Sequence, residues 1–381
     1  MVSWILKLAA LVLVGAIPAG GQSVNPSEAI ALEQQGKLEE AAKVWRAVIK
    51  RDPSDAGAYA SLGVVLSKQQ KYLDATAAYK KALALDPKLP GIQLNLGLAH
   101  FKSGDFKAAI PPLTAALTAD PQNQQARLLL GFSCYGAHRF VEAVKYLGPA
   151  AQLEPANTGL HQVLAQSCLW ARDYSCAMHE FRQILSQNPD SAAAHILMGE
   201  ALDGLGRTEE ALAEFRLAEE VSPQEPNLHF GLGYLLWKLN RFEEAQKEFE
   251  AELSFEPDHA QSFAYLGDIA MKQNKIEEAL SLLQRAVRQR DDLRIAYLDL
   301  GLLLIQNQQY QEAVSMLQRA VTLDPTEPDA HYQLGRAYRA MGKAEASQQE
   351  FAKVRQLREK ADEGLVRKMS TAPPALPRQN P

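Results

Sequence analysis

From residue 26 onward, apolar residues return at helical spacing in short paired blocks separated by polar turns. In the stretch from Ala56 to Pro87, Leu62, Gly63 and Leu66 fall three or four positions apart and so share one face. Ala75, Tyr79 and Ala82 do the same in the block that follows. The pattern predicts two amphipathic helices joined by a short turn and closed at Asp86-Pro87. Proline suits that closing position because its ring disfavours helix in the preceding residue and it offers no backbone donor.

The paired block recurs every 34 residues without insertion or deletion. Pro53, Pro87, Pro121, Pro155, Pro189, Pro223, Pro257 and Pro325 keep the count, and Asp291 holds the one slot that loses its proline. Twenty-four places before these marks stand Gly63, Gly97, Gly131, Ala165, Gly199, Gly233, Gly267 and Gly301, with Gly335 in the last unit. Twelve places before them, alanine runs from Ala41 through Ala75 and Ala109 to Ala313, and Ser347 ends the series. A period in this range marks a stacked repeat architecture. A chain of 381 residues would normally split into several cores, but a stack grows by adding units that pack only on their neighbours.

Tyr59, Leu62, Gly63, Leu66, Tyr72, Ala75, Tyr79, Ala82 and Pro87 together resemble the signature of the tetratricopeptide repeat. The resemblance extends over roughly residues 26 to 360. It implies an all-α fold: a right-handed α-solenoid superhelix of about ten 34-residue hairpins, whose first helices line a concave groove. It also implies binding rather than catalysis, and it names no partner.

The ends depart from the repeat. Residues 1–21 carry Lys7, an apolar run from Leu8 to Ile17 and then Pro18, Ala19, Gly20 and Gly21, the order of a cleaved secretory signal. The run is too short for a spanning helix, which needs about 20 apolar residues. A periplasmic or secreted location is expected, with a membrane anchor only if the signal stays uncleaved. Residues 22–55 read as a degenerate first repeat that caps the stack, and 56–343 as tandem repeats. Residues 344–370 read as an extended, charged capping helix that covers the last apolar face. The proline-rich residues 371–381 read as a disordered tail. Pro111-Pro112 and Gly148-Pro149 fall in second helices and are expected to kink or delay them.

A net charge of -5 gives no basic field to hold nucleic acid. No nucleophile elbow, phosphate loop, metal-protease helix or CxxC occurs, so no catalytic residue, cofactor, metal or small-molecule substrate is expected. His161, His195, His229 and His331 share one register slot, but neighbouring stacked helices lie about 8 to 10 Å apart, too far for one zinc ion. They are expected to pack. Of the three cysteines, Cys168 and Cys176 lie across the turn of one hairpin and are the candidate disulfide, with three buried thiols as the alternative. Cys134 and Cys168 occupy equivalent slots of adjacent units, too far apart to bridge.

If the resemblance holds, the groove is lined by first-helix residues that face away from the hairpin partner. These are Leu94, Leu98 and Phe101, then Leu128, Phe132 and Tyr135, then Trp170. Later units supply Phe230, Tyr234 and Trp237, then Tyr265 and Met271, then Leu302, and near the end Arg336 and Arg339. Such a wall is apolar and aromatic, the composition of a protein-binding surface, unless these side chains are used up between units. The function expected is a non-catalytic scaffold that takes a protein or peptide partner. The alternative is a self-associating structural protein whose groove is buried in a homo-oligomer.

Overall fold

The computed structural model describes residues 25–371, with side chains to residue 363. The signal and tail expected at the two ends lie outside the described residues, apart from Thr371. The described residues form twenty helices and no strand. None of these helices is long and apolar enough to cross a membrane. Contacts divide the chain into two units, Met1–Arg207 and Thr208–Pro381.

The first unit holds α1 (Pro26–Gln34), α2 (Leu38–Arg51), α3 (Ala56–Lys68), α4 (Tyr72–Leu85), α5 (Ile92–Lys102), α6 (Phe106–Ala119), α7 (Gln124–Gly136), α8 (Phe140–Leu153), α9 (Thr158–Trp170), α10 (Tyr174–Gln187) and α11 (Ala192–Gly204). The second holds α12 (Thr208–Val221), α13 (Leu228–Lys238), α14 (Phe242–Phe255), α15 (Ala260–Lys272), α16 (Ile276–Gln289), α17 (Arg294–Gln306), α18 (Tyr310–Leu323), α19 (Pro328–Ala340) and α20 (Ala344–Thr371). Within each unit every helix packs on the next, and first helices also touch the first helix of the following hairpin.

The close approach inside a hairpin has a steric cause. A Cβ added to Gly63 would fall 2.4 Å from Cε1 of Tyr79, and one on Gly233 would fall 2.7 Å from the Phe249 ring. Tyr79 and Phe249 are fully buried. The glycine on the first helix is therefore the socket for the large side chain sixteen residues later on the second. In other units leucine fills it, as Leu147 does against Gly131.

Each first helix ends in the same way. Gly36, Gln70, Gly104, His138, Arg172, Gly206, Asn240, Asn274, Gln308 and Gly342 all have left-handed backbone, at the repeat spacing. The following N–H donates to the carbonyl five residues back, as from Lys71 to Leu66 and from Gln309 to Leu304. This is the hydrogen-bonded helix stop that a left-handed residue makes possible. Second helices end on an aspartate in several repeats. Its carboxylate accepts from the N–H two residues on, as Asp52 does from Ser54 (3.0 Å) and Asp86 from Lys88 (2.9 Å).

The prolines expected to kink or delay their helices do not shorten them. Helix α6 contains Pro111 and Pro112, α8 contains Pro149, and each keeps the same fourteen residues as α4. Packing of the second helix against its neighbours on both sides overrides the local preference. The Thr114 hydroxyl also donates to the Ile110 carbonyl beside the proline pair.

Candidate functional site

In the first unit, part of the expected groove wall is interior. Leu94 and Leu98 on α5 and Leu128 and Phe132 on α7 are 4–6% exposed. Because α5 touches α7 and α7 touches α9, an apolar residue aimed along the row of first helices is covered by its neighbour. These four residues are therefore core, not wall. Phe101 is half-buried and meets Phe106 edge-on at 5.5 Å. Tyr135 stacks on Trp170 at 5.8 Å, and its hydroxyl donates to Gln166 Oε1 at 2.7 Å. Trp170 is half exposed and also lies 4.8 Å from Phe140. Just below it, Cys168 and Cys176 form a disulfide across the turn from α9 to α10, with their Cα atoms 5.7 Å apart. Cys134 is a buried thiol, pushed up to about 11 by burial.

The second unit brings its predicted residues together. On α13, Phe230, Tyr234 and Trp237 present successive rings, with Tyr234 5.7 Å and Trp237 5.1 Å from Tyr265 on α15. Phe249, from the second helix between them, stacks on Tyr265 at 5.4 Å and supports the cluster from beneath. All four surface rings are half-buried. The Trp237 indole N–H donates to Asp268 Oδ2 at 2.5 Å, and Lys272 donates to the other oxygen of that carboxylate at 2.6 Å. Lys272 also lies 5.8 Å from the Trp237 ring centre. Burial, then the neighbouring Tyr234 and two carboxylates, push the Tyr265 hydroxyl well above its ordinary range.

Met271 and Leu302 are half-buried, Met271 against the core around α16. Arg336 and Arg339 are exposed on α19 and engaged locally: Arg336 with Gln333, Arg339 above the Phe351 ring. They do not join the aromatic cluster. The sequence reading also missed Asp299 on α17, a buried carboxylate that shares an electrostatic environment with Asp268.

The histidines do more than pack. His161 Nδ1 bonds Glu180 Oε2 at 2.5 Å, His229 bonds Glu248 at 2.8 Å and His331 bonds Glu350 at 2.6 Å. In each case the link joins the two helices of one hairpin. The matching glutamates stand nineteen residues after the histidines, a spacing that was open to inspection in the sequence. Among the described residues, two side-chain clusters bring three potential metal-ligand atoms within 4.8 Å of one another. In Glu219, His229 and Glu248, the Arg216 guanidinium already donates to both carboxylates, at 2.8 and 2.7 Å. In Glu252, Glu256 and His259, Glu252 accepts from the Phe230 N–H and the His259 ring bonds Ser262. Both sets thus serve hydrogen bonds that hold the hairpins.

Models of the tetratricopeptide repeat match residues 27–90, 100–166, 135–201, 171–229, 230–293, 301–342 and 328–360. The chain is a tetratricopeptide repeat protein. No curated protein matches it in sequence. Among solved structures, the tetratricopeptide chain is similar to one in the APC/C hetero-tetramer Cut9-Hcn1, at 13% identity and a TM-score of 0.53 over 87% of this chain and 80% of that one. It is also similar to YrrB, a TPR protein with an unusual peptide-binding site, at 24% identity and a TM-score of 0.37 over 50% of this chain and 97% of that one. MamA 41-end from Desulfovibrio magneticus RS-1 matches at 24% identity and a TM-score of 0.38, over 45% of this chain and 97% of that one.

Proposed function

We propose that this chain is a non-catalytic protein-binding scaffold of the cell envelope or periplasm, which captures a partner segment on the aromatic face of α13 and α15. The observation that carries the reading is the run of half-buried rings Phe230, Tyr234, Trp237 and Tyr265 on adjacent first helices. Large aromatics held rigidly at a surface are the usual anchors of protein recognition, because they bring much contact area at little entropic cost. Trp237 is held by Asp268 and Tyr265 by Phe249, so their positions are set before a partner arrives. Family membership supports a scaffold, since such repeats are usually non-catalytic.

The signal-like residues 1–21 and the Cys168–Cys176 disulfide support an oxidising compartment. A photo-crosslinking residue in place of Tyr234, in the producing organism, tests the reading. The expected product is an adduct with a second polypeptide that disappears when Trp237→Ala is added. Adducts that Trp237→Ala leaves unchanged would overturn it, and adducts only with the chain itself would favour self-association.

A further inference from the structure

Tyr265 on α15 and Asp299 on α17 occupy the same register slot, 34 residues apart. Tyr265 lays its ring against Tyr234 and Trp237 of the preceding first helix. Asp299 instead carries a short, buried carboxyl whose charged neighbours are Asp268 and Lys272 of α15, Asp329 of α19 and Arg294 of its own helix. Asp299 is 5% exposed and its Oδ2 has no hydrogen-bond partner. An orphaned acceptor of this kind is costly, which makes it a place that a donor would fill.

The five titratable groups balance only while Asp299 keeps its proton. Asp268, Asp299 and Asp329 are three acids, while Lys272 and Arg294 are two cations, and Arg294 is already paired with Asp329. With Asp299 ionised, one negative charge is left over between the carboxylates and the rings. Lys272 shows what fits there. Its ammonium touches Asp268 and stands over both the Trp237 and Phe242 rings, on a side chain that is 41% exposed. A cation held jointly by a carboxylate and an aromatic face is a favourable arrangement, and more so where water is partly excluded.

We propose that Tyr234, Trp237 and Tyr265, together with Asp268 and Asp299, form a receptor for one basic side chain of a partner polypeptide, a lysine or arginine carried on an otherwise apolar segment. The proposal rests on the groove reading above and specifies the chemistry of its occupant. The incoming cation joins Lys272 beside Asp268 and supplies Asp299 with the donor it lacks. Burial, reinforced by Asp268, holds the Asp299 carboxyl well above the ordinary carboxylate range, so capture drives off its proton and strengthens as pH rises.

The test uses the full chain and a fluorescent amphipathic peptide of about sixteen residues, roughly four helical turns, with a single central lysine. Twin peptides carry acetyl-lysine or glutamate at that position. The lysine peptide is expected to bind about tenfold more tightly than the acetyl-lysine twin, with glutamate weakest. Asp299→Asn should bring the lysine peptide down to the level of the acetyl-lysine twin and leave that twin unchanged. Glu359→Gln, an exposed acid on α20, should change nothing. If lysine and acetyl-lysine peptides bind equally and both are lost with Trp237→Ala, the cation receptor is wrong and the aromatic groove stands. A lysine preference that survives Asp299→Asn, or falls equally with Glu359→Gln, overturns the receptor as well. If Trp237→Ala leaves all three peptides unaffected, the groove reading itself fails.

Discussion

His161 Nδ1 lies 2.5 Å from Glu180 Oε2, joining α9 to α10, and both side chains are buried. The same link recurs at His229–Glu248 and His331–Glu350, always nineteen residues apart. A slot that takes Tyr59 in an early repeat thus becomes polar in later ones, with Nδ1 met by a glutamate each time. Nε2 is met by the Pro223 carbonyl in His229 and is buried without a partner in His161 and His331.

Removing one partner of this pair should cost more than removing both. His161→Phe leaves Glu180 buried without its donor and is expected to destabilise the protein by about 1–3 kcal/mol. His161→Phe combined with Glu180→Leu should recover most of that loss. Urea denaturation of the two variants measures the difference, and equal losses would show that the bond contributes nothing.

Filling the socket of a hairpin should be costly too. Gly233→Leu drives a side chain into the buried Phe249 ring, whose nearest atoms already lie 2.7 Å from where a Cβ would sit. A loss of about 1–3 kcal/mol or more is expected from overpacking, read as a lowered Tm. An unchanged Tm would contradict the hairpin register.

The left-handed helix stops offer the opposite effect. Gln308 holds φ at 61°, a backbone that costs a residue with a Cβ roughly 1 kcal/mol or more. Gln308→Gly removes the strain at a position whose side chain is exposed, and should stabilise by about 0.5–1 kcal/mol after the extra freedom of the unfolded chain is counted. Thermal unfolding of the variant checks the sign.

Asp299→Asn should stabilise the protein at neutral pH while weakening capture of a basic partner. Burial raises the Asp299 carboxyl in the folded state, so the unfolded chain releases this proton first. Below the ordinary carboxylate range both states are protonated and the aspartate carries no penalty. As pH rises through that range, stability falls until the folded group ionises as well. The Tm gain from Asp299→Asn is therefore expected near pH 7 and should vanish at roughly pH 3. A gain of the same size at both pH values would place its cause elsewhere.

The sequence by itself determined the repeating hairpins. The small residue at Gly63, the ring at Tyr79 and the proline after Asp86 each act within one unit, so their spacing transmits directly into structure. The Cys168–Cys176 bridge stood in the sequence as a candidate contact across one turn, beside the alternative of buried thiols, and the structure decided between them. The stops at Gln70, His138 and Gln308 were not, because residues other than glycine and asparagine in a left-handed turn carry no local mark.

Only the tertiary structure decided which first-helix residues face outward. Leu98, Phe132 and Tyr234 hold one register slot, yet the first two are buried and the third is half-buried within a cluster of rings. Leu94, Leu128 and Phe230 divide in the same way. Exposure at these positions depends on the size of side chains in the neighbouring hairpin, which a repeat pattern averages over. Asp299 was hidden by the same averaging: a carboxyl in the slot of Tyr265 acquires its meaning from Asp268 and Lys272, one repeat away in space.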